Sequence, residues 1–236
     1  MDEAKYPFVS VCTPTYNRRK HIPGLIQCYL RQDYPKSRME WIIVDDGTEK
    51  VGDLVRNVPG VRYFSYNQKI PIGRKRNLTH EKSKGDIIVY MDDDDYYPKE
   101  RVSHAVEMLM DNPRALCAGS SEMHIYFKST GKIYQFGPYG PRHATGGTLA
   151  FRRILLNFTA FDNKAEKSEE SKFLRGFSIP MVQLDTLKSI LVIAHDSNTV
   201  DKHHALSNKK RFGVRDSVFS IENFIPDSKM RDMFTK

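Results

Sequence analysis

The stretch Gly85-Asp86-Ile87-Ile88-Val89-Tyr90-Met91-Asp92-Asp93-Asp94-Asp95 decides the fold. Residues 87–91 form an unbroken apolar run, as expected of a strand covered on both faces, and the run stops in four carboxylates. Adjacent carboxylates repel one another unless a cation neutralises them. A strand that ends this way is either a cation-binding turn or a solvated acidic turn that caps the helix after Pro98.

Working outward, residues 8–13 form a second apolar run that stops at Pro14, and residues 39–44 a third that stops at Asp45-Asp46-Gly47. Between those two, Ile22, Leu25, Ile26, Tyr29 and Leu30 recur at helical spacing, with Pro23 near the helix start. Residues 61–66 read as a further strand and residues 74–84 as a polar helix closed by Gly85. This alternation predicts an α/β fold with a mostly parallel central sheet flanked by helices. Ligands of such sheets bind beyond the carboxyl ends of the strands, where all three polar strand ends fall.

After Pro98, Val102, Val106 and Leu109 share one helix face that ends near Asn112-Pro113. The regularity then changes. Residues 122–127 and 132–136 predict a hairpin around Ser129-Thr130-Gly131, followed by a stretch rich in Gly and Pro, a helix around 169–176 and a late strand over 187–194. From Asn198 the chain is basic and weakly periodic. No repeat or linker divides it, so residues 1–236 are expected to form one domain with a smaller, irregular second half.

Composition agrees with a folded enzyme-sized domain. The chain has 236 residues, 39% hydrophobic and 28% charged, which excludes collagen-like, disordered and disulfide-stapled classes. No apolar run approaches the ~18 residues of a membrane-spanning helix. Met1-Asp2-Glu3-Ala4-Lys5 lacks the basic start and greasy segment of a signal peptide, and three Cys without metal-ligand spacing suit a reducing compartment. The expected location is therefore cytoplasmic. A net charge of +8 favours an anionic partner.

Taken together and in order, Val11-Cys12-Thr13-Pro14-Thr15-Tyr16-Asn17-Arg18, Ile43-Val44-Asp45-Asp46-Gly47-Thr48, Gly73 with Arg76-Asn77, and residues 85–95 resemble family 2 glycosyltransferases of the GT-A, Rossmann-like fold. The compact form and the segment from Gln183-Leu184-Asp185 to Asn198-Thr199 also resemble the glycosyltransferases of large DNA viruses. The resemblance implies a nucleotide-sugar donor, a UDP-sugar before a GDP- or dTDP-sugar, a divalent cation (Mn²⁺ or Mg²⁺) and inversion at the anomeric carbon. It divides the chain into a donor-binding half, 1–97, and an acceptor and catalytic half, 98–236, with a basic C-terminal tail.

Carried over by position, Thr13, Thr15 and Tyr16 lie against the base, Asp45 or Asp46 bonds the uracil or ribose, and Gly73 and Arg76 lie near the nucleotide. Asp92 and Asp94 form the Asp-x-Asp pattern: Asp92 is nearer the ribose and also a metal candidate, and Asp94 is the main metal ligand. Asp95 is a second ligand or sugar contact, and Asp93 joins the donor-binding set. Arg74, Lys75 and Arg76 are available to a departing diphosphate, although Lys75 is expected on the basic surface of its helix. Gly146-Gly147-Thr148 resembles the segment that borders sugar and acceptor, which adds Gly147 to the donor-binding residues.

Inversion requires a base to take the acceptor hydroxyl's proton. Ser168-Glu169-Glu170-Ser171 resembles the family's acidic pair at a helix start, where the second member is commonly Asp. With Glu in that place, Glu169 and Glu170 are both candidates, and the helix dipole alone also favours acids there. His195, just after the late apolar strand, is the candidate to complete the metal shell, with His203 and His204 competing for the role.

Two other functions fit parts of the pattern. A sugar-phosphate nucleotidyltransferase also joins such a sheet to metal-binding carboxylates, but Pro14-Thr15-Tyr16-Asn17-Arg18 lacks the glycines of its phosphate loop. A basic nucleic-acid-binding module accounts for the charge, yet no basic and aromatic binding motif accompanies it, so no nucleic acid is expected. The expected acceptor is a glycan, a glycoprotein or another hydroxyl compound. The C-terminal cations Lys202, Lys209, Lys210, Arg211 and Arg215 would serve an anionic acceptor, peripheral contact with a membrane surface, or solubility.

Overall fold

A computed structural model describes residues 3–195, 202–207, 209 and 213–236. Asn198, Thr199, Lys210 and Arg211, and the side chain of His203, lie outside the described residues. The first half follows the predicted alternation: β1 (Val9–Thr15), α1 (Ile22–Leu30), β2 (Met39–Asp45), a short α2 (Gly52–Val55), β3 (Val61–Ser65), α3 (Ile72–Lys82), β4 (Ile87–Tyr90) and α4 (Arg101–Asp111). The second half contributes β5 (Cys117–Gly119), the hairpin β6 (Met123–Phe127) and β7 (Lys132–Phe136), β8 (Ala150–Arg152), α5 (Glu170–Phe173), β9 (Met181–Gln183) and β10 (Leu191–Ala194). The two-residue β11 (Arg215–Asp216) and two short helices, Ile221–Phe224 and Ser228–Thr235, follow. Among the described residues, no helix is long and apolar enough to cross a membrane.

The main sheet runs β3-β2-β1-β4-β8-β5-β9. Its first four strands are parallel; β8 is antiparallel to both β4 and β5, and β9 runs parallel to β5. Every residue of β1, β2 and β4 is buried, as strands with helices on both faces require. Their side chains alternate between two cores: Val9, Val11, Trp41, Ile43 and Val89 face one, while Cys12, Ile42, Ile88 and Tyr90 face the other. A second sheet, β10-β6-β7-β11, is fastened to the acidic turn by the paired backbones of Tyr96 and Leu191.

Three expectations from sequence are corrected here. The predicted helix over 169–176 is only Glu170–Phe173, because Arg175, Gly176 and Phe177 all take left-handed backbone angles that end it. The late strand begins at Leu191, after a 3₁₀ turn at Thr186–Lys188 with its own Asp185 cap. The helix after Pro98 starts three residues later, at Arg101.

Gly73 lies in the first turn of α3, where its N–H donates to the Ala165 carbonyl at 3.1 Å. A Cβ added there would stand 1.9 Å from the Asp162 carbonyl oxygen. This glycine therefore admits the 162–165 loop against α3. Gly73→Ala should cost about 1–3 kcal/mol of stability, read as a lower urea midpoint, because backbone has to move to accept the methyl; an unchanged midpoint would contradict this packing.

Candidate active site

The carboxyl ends of β1, β2 and β4 and the amino end of β8 share one rim, since Thr15 pairs with Asp45 and Val89 with Ala150. At its β1–β2 end the polar residues divide into braces and open groups. Thr13 is fully buried; its hydroxyl accepts from Trp41 Nε1 at 2.8 Å and donates to the Met91 carbonyl at 2.6 Å. It ties three strands together and is turned away from the base position expected for it. Asp45 is likewise closed inside its own turn, accepting from Gly47 N at 2.8 Å, Val51 N at 3.0 Å and Tyr63 Oη at 2.6 Å. Asn17, at φ 53°, accepts from Thr48 N at 2.7 Å and Glu49 N at 3.1 Å, which holds the β2 turn against β1.

Asp46 is also closed in, accepting from Ile70 N at 2.5 Å, and Tyr16 lies outside those braces. Asp46 is ion-paired with Lys75, and Lys75 is buried at 5% exposure, with its ammonium also donating to the Thr15 carbonyl at 3.3 Å. The expectation of a surface Lys75 is therefore wrong: three successive cations cannot all face solvent on one helix, and the paired carboxylate makes burial tolerable. Lys69 and Lys75 place their ammonium groups 5.0 and 5.5 Å from the centre of the half-buried Tyr16 ring. Thr15 is buried, with its hydroxyl beside Asp93.

The four aspartates point in different directions. Asp92 is the most open, meets Arg76 at 3.1 Å and is positioned by its own N–H, which donates to Tyr97 Oη at 2.7 Å. Asp93 is buried 3.7 Å from Arg18 Nε, and burial, then the neighbouring Asp94, push its carboxyl well up. Asp94 lies 3.6 Å from Arg18 Nη2 and 3.2 Å from His195 Nε2. Burial would raise its pKa, but the His195 hydrogen bond and the positive charges of Lys202 and Arg18 hold it well below the ordinary carboxylate range. Asp95 accepts from Ile193 N at 2.9 Å, and burial with the Asp94 charge pushes it up to about 8. It thus pins β10 to the acidic turn.

The donor chemistry fits a hard divalent cation at Asp94, an ionised carboxylate with an imidazole beside it and Asp92 nearby on the same turn. No three His, Cys, Asp or Glu side chains converge as a ready cage among the described residues. Arg18 and Arg76 instead carry the countercharge. His195 also stacks on His21, ring centres 4.6 Å apart, and burial and then His195 push His21 down to about 4. His204 is exposed on the helix Lys202–Ser207.

Arg76 joins the two halves of the rim. Its guanidinium is 4% exposed, donates from Nε to Glu169 Oε1 at 2.6 Å, holds Asp92 through both terminal nitrogens and lies 4.4 Å from the Tyr90 ring centre. Gly146 and Gly147 border this cluster. A Cβ on Gly146 would come within 2.8 Å of Arg76 Nη2, and one on Gly147 within 3.1 Å of Asp92 Oδ2. Buried Arg101 steadies the same turn, donating to the carbonyls of Leu149 at 3.1 Å, Tyr90 at 3.2 Å and Gly147 at 3.5 Å.

The two glutamates are separated by this geometry. Burial would raise Glu169, but Arg76 holds it down as a carboxylate. Glu170 has no ion pair among the described residues, and burial, then the Glu169 charge, raise its pKa. Sequence reasoning missed the roles of Arg18, Lys75, Tyr97 and Arg101; only Arg18 carried a signal, its place at the end of the first polar strand end. A cavity of about 550 Å³ opens on the other side of the Tyr96-Tyr97 loop, lined by Cys28, Arg31, Leu187, Phe224 and Met230 among others, and shares only Tyr97 with this cluster.

Residues 10–164 match the Glycosyl transferase family 2 model. The poly(ribitol-phosphate) beta-N-acetylglucosaminyltransferase TarS of Staphylococcus aureus is 31% identical over 106 residues, which is 42% of this chain and 18% of that protein. The putative teichuronic acid biosynthesis glycosyltransferase TuaG of Bacillus subtilis is 30% identical over 112 residues, 44% of this chain and 43% of the relative. The chain thus spans less than half the length of either. Among solved structures, S. aureus TarS in complex with UDP-GlcNAc aligns with TM-score 0.65 at 20% identity, covering 81% of this chain and 60% of the other. The mannosyltransferase PcManGT of Pyrobaculum calidifontis, in complex with GDP-Man and Mn²⁺, aligns with TM-score 0.62 at 18% identity over 89% and 62%. The fold is that of GT-A glycosyltransferases, and with two thirds of its length inside the family match, the chain belongs to glycosyl transferase family 2.

Proposed function

We propose that this chain transfers a glycosyl group from a nucleotide-diphosphate sugar, a UDP-sugar before a GDP-sugar, to an acceptor hydroxyl with inversion, aided by a divalent cation. The observation that carries the reading is the Arg76 guanidinium, which holds Asp92 of the acidic turn and Glu169 of the α5 start in one site. The donor class is supported by TarS, bound to UDP-GlcNAc, and by PcManGT, bound to GDP-Man. In this reading residues 1–97 bind the donor and residues 98–236 supply the acceptor side.

Tyr16, with Lys69 and Lys75 close to its ring, would meet the base, and Asp46, paired with Lys75, would lie beside the nucleoside. Asp94, with Asp92 and His195, would hold the cation, which when bound supplies Lewis-acid stabilisation of the departing diphosphate. Arg18 stands beside the same carboxylates and adds positive charge where the leaving group gathers negative charge. Glu170 is the base: a carboxylate oxygen accepts the acceptor hydroxyl's proton as the new glycosidic bond forms. Its raised pKa makes it a better proton acceptor than Glu169, whose lone pairs are committed to Arg76.

Two outcomes test this reading. One UDP-sugar should release UDP in the presence of Mn²⁺ or Mg²⁺ and cease to do so with a chelator, and Asp94→Ala should abolish both turnover and the metal-dependent part of UDP binding by calorimetry; metal-independent release, or unaltered metal-dependent binding in the variant, would contradict it. Glu170→Gln should lower kcat by roughly 10²–10⁴-fold with UDP affinity retained. Because the base acts ionised, wild-type kcat/KM should rise with pH through an inflection above the ordinary carboxylate range, and an inflection at or below that range would return the role to Glu169.

A further inference from the structure

Further along the same rim, two segments that flank the site meet in an aromatic cluster. His143 belongs to the loop that leads into Gly146-Gly147, and Phe177 follows the Glu169-Glu170 segment. Their rings stack at 4.6 Å with 27° between planes, and Tyr139 lies 5.0 Å from His143 at 55°, so the three rings form an angled notch. Tyr139 is 44% exposed. The surrounding backbone is braced: Gln183 donates from Nε2 to the carbonyls of Pro141 at 3.0 Å and His143 at 3.1 Å, while its own Oε1 accepts from Ser121 N at 2.8 Å. Phe177 is held at φ 61° and Arg175 at φ 50°, a conformation that costs non-glycine residues about 1 kcal/mol or more each.

Sheet topology places the notch on the acceptor side. Gln183 ends β9, opposite Gly119 of β5, and both strands run in the direction of β4. The order β4-β8-β5-β9 sets that end three strand spacings from β4, about 14 Å, on the side away from β1 and β2. Along the rim the notch therefore lies beyond the acidic turn at the end of β4, on the side away from Tyr16 at the end of β1. A distance of this order exceeds one pyranose ring, so the notch is placed to meet a sugar beyond the one whose hydroxyl reacts.

We propose that the rings of Tyr139, His143 and Phe177 form a binding subsite for a pyranose ring of an oligosaccharide acceptor. The inference rests on the transfer reading above and names its acceptor class. A pyranose presents a flat face of C–H bonds, which packs against the negative faces of aromatic rings, and a rim of hydroxyls that needs hydrogen-bond partners. The 44%-exposed Tyr139 supplies both, an aromatic ring and a phenol at the open edge of the cluster, and the His143 ring stacked on Phe177 backs it.

Saturation-transfer NMR on the full chain, with cellotetraose, chitotetraose and mannotetraose as probes, tests the subsite. At least one probe should receive saturation on its ring C–H protons. Phe177→Asn, which introduces a residue that tolerates the left-handed backbone, should weaken that probe's binding by about fivefold to tenfold. Phe177→Tyr, which keeps the ring, should bind within about twofold of the wild type. No saturation of any probe, or equal loss in both variants with unchanged thermal midpoints, would overturn the subsite. Calorimetry of UDP with the same wild-type protein is read beside it: UDP binding without saccharide saturation sinks the subsite and spares the transfer reading, whereas saccharide saturation that disappears in Phe177→Asn and persists in Phe177→Tyr supports the subsite whatever UDP does.

Discussion

The buried guanidinium of Arg76 is the constraint on which the site depends. A charge at 4% exposure is tolerable only when it is paired and hydrogen-bonded, and Arg76 meets this condition with two carboxylates from opposite halves of the chain and the face of Tyr90. Its demands propagate outward. Gly146 and Gly147 leave it room, since an added Cβ would press on Arg76 Nη2 at 2.8 Å or on Asp92 Oδ2 at 3.1 Å. Antiparallel β8 has to follow them, and Arg101 holds that turn to β4 from behind. Glu169 becomes a fixed carboxylate, and its charge raises the pKa of Glu170. One ion-pair network thereby sets the difference between two adjacent, chemically identical side chains.

The acidic turn is balanced in the same way. Asp92 is matched by Arg76, Asp93 and Asp94 by Arg18, and Asp94 also by His195, while Asp95 is spent on the backbone of β10. A cation bound by Asp94 and His195 would take over the Asp94 oxygen that Arg18 now faces. The overall charge of +8 is therefore a poor guide to this site, whose local character is acidic.

Much of the first half was legible in the sequence because its signals are local. Strands β1, β2 and β4 are apolar runs ended by Pro14, Asp45 and Asp92, and parallel pairing then had to bring those ends to one rim. Partnership across the chain was not legible. Nothing in the spacing around Lys75 shows that Asp46 neutralises it, or around Thr13 that its hydroxyl is shared by Trp41 and Met91. The second half was harder still. Strands β5, β8 and β9 have three residues each, too few for a period to register, and α5 is ended by left-handed Arg175 and Phe177, residue types that do not announce such a turn.

The central claim, that Arg76 couples the acidic turn to the acidic start of α5, is tested most directly by a double-mutant cycle of Arg76→Met and Glu169→Gln on urea unfolding. Either single change strands a buried charge and should cost about 3–5 kcal/mol. The account predicts that the double variant is less damaged than the sum by more than about 1 kcal/mol, because removing both partners leaves no orphaned charge between α3 and α5. Additivity within about 0.3–0.5 kcal/mol would mean that the two side chains do not share the network, and would contradict it.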